Sequence, residues 1–147
     1  MEYTMEHFFM QAALREAREA ASEGEIPIGA VVVCGDRIVG KGHNRVEALG
    51  DATAHAEMQA ITAAASALGS KYLPECTLYV TVEPCVMCAG ALAWSQIGRV
   101  VYGTADPKKG YSTYSNKILH PKTEVTAGFM EEECRALMED FFKKLRR

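Results

Sequence analysis

The 147-residue chain has no apolar run long enough to cross a bilayer, which excludes a transmembrane helix. Its first residues carry acidic Glu2 and Glu6 and no basic cluster, so no secretory leader is expected and the cytoplasm is the expected location. It has no internal repeat, low-complexity tract or linker, which excludes a solenoid or a string of modules. One domain over residues 1–147 is expected, large enough to bury roughly 70% of its extended surface. No excess of positive charge is present: 16 Lys and Arg against 19 Asp and Glu give a net charge of −3, opposite in sign to the usual nucleic-acid binder. Five cysteines cannot all pair. Cys34, Cys76 and Cys134 read as reduced, small apolar residues, which fits a reducing compartment.

The charge that is there is unevenly placed. Arg99, Lys108, Lys109, Lys117 and Lys122 face only Asp106 within their stretch, and Lys143, Lys144, Arg146 and Arg147 crowd the end. A local basic surface is thus compatible with an acidic total.

Two short motifs carry chemistry. His55-Ala56-Glu57 supplies an imidazole and a carboxylate, and Pro84-Cys85-Val86-Met87-Cys88 supplies two thiolates. His, Cys and Cys can hold a zinc ion and leave a tetrahedral corner open for water. Glu57 is not needed as a ligand, so it is free to carry protons. The pattern H-x-E followed by P-C-x-x-C is the signature of zinc-dependent nucleobase deaminases. His7, His43, His120 and Cys76 are the alternatives for a fourth, closing ligand, but none has a partner at familiar ligand spacing.

The spacing also constrains local structure. Residues two apart lie on nearly opposite faces within a helix, so His55 and Glu57 can serve one site only at a helix start. Asp51 and Thr53 are the expected N-caps, and alanine-rich 54–68 is the expected helix, closed by Gly69. Cys85 and Cys88, three apart, share one side of a first helical turn over 86–94. Other expected elements are a helix at 4–23 with a Phe9, Ala13, Ala17 and Ala20 stripe, and a hairpin of strands 28–34 and 37–44 around Gly35-Asp36. Strands at 77–82, 99–103 and 124–127 follow, with a loop at 105–121 holding a short helix near 112–119, and a terminal helix at 129–145. Strand–helix–strand alternation in the centre implies parallel pairing, with the hairpin as an antiparallel edge. The fold class is α/β: a three-layer α/β/α sandwich around a mixed five-stranded sheet.

The chain resembles the cytidine-deaminase-like superfamily, and within it the bacterial tRNA-specific adenosine deaminases. The residues that carry the resemblance are Ile26-Pro27-Ile28-Gly29-Ala30-Val31, Gly42-His43-Asn44, Ala52 to Glu57, Thr77 to Ala91, and Ile97 to Gly103. The resemblance implies hydrolysis of the wobble adenosine of a tRNA anticodon to inosine. It implies His55, Cys85 and Cys88 as ligands of one zinc per subunit and Glu57 as proton shuttle. Asn44, the Ala56 backbone N–H and Ile28 would meet the base. It further implies a homodimer and an anticodon stem-loop as partner, with no membrane. Lys108, Lys109, Tyr111, Tyr114, Phe141, Phe142, Lys143 and Arg146 are the expected RNA contacts, as stacking aromatics and phosphate-facing cations. Trp94 is read as packing, in the core or at a subunit interface. His43 and His120 are read as ordinary loop residues. Two other functions fit the motifs: a deaminase of free bases or nucleosides, and a non-catalytic zinc-stabilised RNA-binding module.

Overall fold

A computed structural model describes residues 3–146; Glu2 of the leader reading and Arg147 of the basic tail lie outside them. In chain order the elements are α1 (Met5–Ser22), β1 (Gly29–Cys34), β2 (Arg37–His43), α2 (Val46–Leu49), α3 (Ala56–Leu68), β3 (Cys76–Val82), α4 (Val86–Trp94), β4 (Arg99–Thr104), β5 (Glu124–Thr126) and α5 (Glu131–Leu145), with a 3-10 turn at Tyr111–Thr113. The five strands form one sheet in the order β2-β1-β3-β4-β5. β1 is antiparallel to both β2 and β3, while β3, β4 and β5 are parallel. The parallel pairing implied between successive central strands therefore holds from β3 onward. Before that, β1 lies between β2 and β3, so the helix joining those two strands crosses over it.

The two faces of the sheet follow from the two-residue period of a strand. Ala30, Val32, Leu78, Val80 and Val100 point into one apolar layer with Ala56, Ala60 and Ala64 of α3 and Ala89 and Leu92 of α4. Val31, Val33, Tyr79 and Val101 point into the other, against Phe9, Met10, Ala13 and Leu14 of α1 and Cys134 of α5. Strands covered on both faces are apolar at nearly every position, which is why β1 reads as an unbroken run. Cys34 and Cys76 are register partners across β1 and β3, and all five cysteines are free.

Small residues set how closely helix and sheet approach. A Cβ on Gly42 would stand 2.5 Å from the Ala56 carbonyl oxygen and 2.7 Å from the Ala60 nitrogen. Glycine there lets β2 lie directly against the first turn of α3. That close approach places the end of β2 beside the helix tip where the chemistry sits. Between β2 and α3 the chain forms the four-residue α2, too short to leave a periodic signal. The helix expected near 112–119 is only the three-residue turn at Tyr111–Thr113.

Candidate metal centre and active site

His55 and Cys85 are the N-cap residues of α3 and α4, both extended (ψ 157° and 173°), and neither side chain caps its own helix. Both side chains are therefore free to point across the gap between the two helix tips. Cys88, one turn into α4, brings its sulfur to the same place and is fully buried. His55 Nδ1 lies 3.6 Å from each sulfur. The three ligand atoms all fall within 4.8 Å of one another, and no other group of three or more potential ligands occurs among the described residues. Tetrahedral zinc with ordinary Zn–S and Zn–N bonds separates nitrogen from sulfur by about 3.6 Å. The donor set and its spacing thus fit a metal ion, with three protein ligands and no fourth among the described residues.

The electrostatics point the same way. Cys85 is lowered to about 4, chiefly by its hydrogen bond with Cys88, with burial opposing and His55 assisting. Cys88 is pushed strongly up by that same bond and by its burial. Two sulfurs so close share one negative charge between them. A dication would let both ionise, and the partial positive charge of two helix tips adds to that tendency. His55 is raised, mainly by hydrogen bonding to Cys85 despite its burial.

Glu57 lies 3% exposed at the first turn of α3, and burial pushes its carboxyl up to about 7. A carboxyl near neutrality both accepts and returns a proton readily. The charges of Cys85 and His55 act on it, so it stands near the ligand group without belonging to it.

Asn44 follows β2 and is 6% exposed. Its Oδ1 accepts the Ala56 backbone N–H at 2.8 Å. This corrects two expectations. The Ala56 N–H is not directed at a substrate, because a buried amide must find an acceptor and Asn44 provides it. Nor do Asp51 or Thr53 cap α3: the Asp51 carboxylate turns onto the Thr53 N–H (2.8 Å) and hydroxyl (2.7 Å). Asn44 serves as the cap from a distance of 12 residues. Ile28 is half-buried, and its carbonyl accepts the Asn44 N–H at 3.3 Å, so it borders the same site.

The expected RNA contacts divide. Lys108, Lys109, Lys143 and Arg146 are exposed, Tyr114 is 64% exposed and Phe142 37%. Phe141 is half-buried and meets Phe142 edge to face at 5.4 Å. Tyr111 does not fit: it is 5% exposed within the α3/α4 apolar layer and cannot stack on a base. Trp94, 85% exposed at the end of α4, is not core. His43 is not a loop residue. It ends β2, with Nδ1 3.0 Å from Glu16 and Nε2 3.1 Å from Glu23 of the α1 side.

Two carboxylates have functional positions that sequence reasoning passed over. Glu25, 3% exposed, accepts the Glu47 N–H at 3.1 Å and the Ala48 N–H at 2.8 Å, fixing α2 after Asn44. Glu83, 4% exposed, accepts backbone and hydroxyl donors from the segment after β4. The only hint in sequence is for Glu83, an acidic residue directly after an apolar strand.

Comparison with known proteins places this geometry among relatives. The family model described as MafB19-like deaminase matches residues 5–146. The chain is 42% identical over 149 residues to the tRNA-specific adenosine deaminase of Bacillus subtilis (strain 168), covering 98% of this chain and 92% of that one. It is 46% identical over 143 residues to the tRNA-specific adenosine deaminase of Aquifex aeolicus (strain VF5), covering 95% of each. A structure solved in a study of A-to-I editing by tRNA:A34 deaminases at the wobble position superposes with a TM-score of 0.82 at 41% identity, covering 88% of this chain and 98% of that one.

Proposed function

Because the chain belongs to the MafB19-like deaminase family, we propose that it is a zinc-dependent hydrolytic deaminase that converts the wobble adenosine of a tRNA anticodon to inosine and releases ammonia. The observation that carries this reading is the buried Glu57 beside a three-ligand His55, Cys85 and Cys88 group, in a chain related over nearly its whole length to tRNA-specific adenosine deaminases.

One zinc ion per subunit, held by those three side chains, supplies Lewis-acid activation of water at neutral pH. Glu57 takes the proton of the attacking water and hands it to N1 of the ring as oxygen adds at C6. It passes the second proton to the amino group as the C6–N6 bond breaks. Adenosine and water thus become inosine and ammonia. The near-neutral carboxyl suits this double duty, since it must gain and lose a proton within one turnover. Asn44 presents its amide nitrogen to the base edge while its oxygen holds the Ala56 N–H. Ile28 forms an apolar border.

An adenine inside a duplex cannot reach such a buried group, whereas a base of an anticodon loop is already unpaired. Lys108, Lys109, Lys143 and Arg146 are placed for phosphates, and Tyr114, Phe141 and Phe142 for stacking. A tRNA substrate implies the cytoplasm, and no helix among the described residues is long and apolar enough to cross a membrane. A homodimer is supported by the outer face of α4. That helix has no charged residue, and it exposes Val86, Met87 and Trp94 together.

The test is ammonia release from an anticodon stem-loop carrying adenosine at the wobble position, compared with free adenosine, cytidine, guanine and cytosine. Turnover of the hairpin alone supports the reading. Turnover of a free base alone replaces it with base salvage, and no release from any substrate leaves a binding module.

A further inference from the structure

A buried carboxylate two residues before Cys85 makes no ion pair among the described residues. The Glu83 oxygens are divided between two points of the segment after β4. Oε1 accepts the Asp106 N–H at 3.1 Å. Oε2 accepts the Ser112 N–H at 3.0 Å and the Ser112 hydroxyl at 2.6 Å.

Between these anchors the segment is held throughout. The Asp106 carboxylate accepts the N–H groups of Lys108 and Lys109 at 3.1 and 2.9 Å. Gly110 pairs with Cys85 in an isolated antiparallel bridge, and the Tyr111 N–H donates to the Pro84 carbonyl at 2.9 Å. Any Cβ at Gly110 would overlap the Glu83 carboxyl and the Asp106 carbonyl, so the close approach requires glycine. Tyr111 is driven into the core as a peg. Lys108, Lys109 and Tyr114 are left facing outward.

Burying a carboxylate is costly, and three hydrogen bonds offset it only while the segment stays in place. An apolar side chain at 83 would leave those donors unsatisfied. The carboxylate therefore couples the position of the segment to the turn that carries Cys85.

We propose that Glu83 is a positioning residue for substrate recognition, holding segment 106–114 against the metal-ligand turn so that Lys108, Lys109 and Tyr114 meet RNA at a fixed distance from the reacting base. This rests on the RNA-deaminase reading. Glu83 touches neither the ligand group nor the base, and its effect belongs in substrate binding rather than in the chemical step.

The test uses Glu83→Gln and Ser112→Ala in the full, zinc-loaded chain. Amide hydrogen exchange across 106–112, bound zinc, and KM and kcat on the anticodon stem-loop are measured. Faster exchange with full zinc is expected in both variants, with KM raised about tenfold in Glu83→Gln and about threefold in Ser112→Ala, and kcat within about twofold of wild type. Unchanged exchange in both variants overturns the proposal. So does a fall in kcat at constant KM, which would move Glu83 into the chemistry. If Glu83→Gln does not fold, Ser112→Ala alone decides by the same readings. A wild-type chain inert on RNA fails the functional reading itself. An active wild type whose variants keep a normal KM fails only the role of Glu83.

Discussion

Asn44 holds the Ala56 backbone N–H at 2.8 Å, so the end of β2 and the tip of α3 are tied by one side chain. The same bond engages the Asn44 oxygen and leaves its amide nitrogen as the donor that the proposed function gives to the base. Cap and proposed base contact are thus two ends of one amide group, and they can be separated. Asn44→Asp keeps an acceptor for the Ala56 N–H but removes the donor. It should unfold near the wild-type temperature while losing substrate affinity. Asn44→Ala should lose affinity and also about 1–3 kcal/mol of stability, because it orphans a buried N–H. Thermal melts and stem-loop titrations on both variants check this. Equal stability of the two variants would show that the cap is dispensable.

Glu57→Gln keeps size and burial but cannot accept a proton. Turnover should fall by about 100- to 10,000-fold, while bound zinc and the melting temperature stay at wild-type levels. Metal analysis alongside single-turnover rates decides it. A zinc-loaded variant with ordinary turnover would remove Glu57 from the mechanism.

His43 bridges Glu16 and Glu23 through both ring nitrogens. Only the imidazolium donates from both. Burial lowers its pKa, but the hydrogen bonds and charges of the two glutamates outweigh burial and hold it above the ordinary 6.5. A folded pKa above the unfolded one stabilises the protein fully below pH 6.5, and that contribution disappears as pH rises through the folded value. His43→Gln should cost about 1 kcal/mol at pH 5.5 and progressively less above neutrality, the modest size reflecting partly exposed partners. Urea melts at several pH values measure the slope. A penalty independent of pH would mean that packing alone holds the bridge.

Gly42→Ala pushes a methyl group into the backbone of α3. It should destabilise the chain by at least about 2 kcal/mol and weaken zinc binding together with stability, since His55 sits at the displaced tip. Denaturant melts and competition with a zinc indicator test this. Unaltered zinc affinity in a destabilised variant would show that the tip moves independently of the helix body.

Much of this was legible in the residues. β1 and β3 are apolar at successive positions because both faces are covered, and the alanine of α3 and α4 marks helices pressed onto a sheet. The His55, Cys85 and Cys88 group that could hold a metal ion could be named because residue types at these two spacings have few other uses. Other features hide for physical reasons. Glu83 and Glu25 look like surface acids until distant N–H groups are brought to them by the fold. Tyr111 looks like an exposed aromatic in a charged loop, yet the pinning of that loop turns its ring inward. The capping role of Asn44 spans 12 residues, beyond any local pattern. The insertion of β1 between β2 and β3 depends on which edges meet, and strand periodicity is silent on that.

One imidazole from α3 and two sulfurs from α4 converge although they lie 30 and 33 positions apart in the chain. During synthesis the histidine leaves the ribosome first, and the group is complete only when residue 88 has followed. In the proposed enzyme, loading with zinc is therefore a late event of biogenesis, and a filled centre certifies that α3 and β3, which lie between the ligands in the chain, are in place.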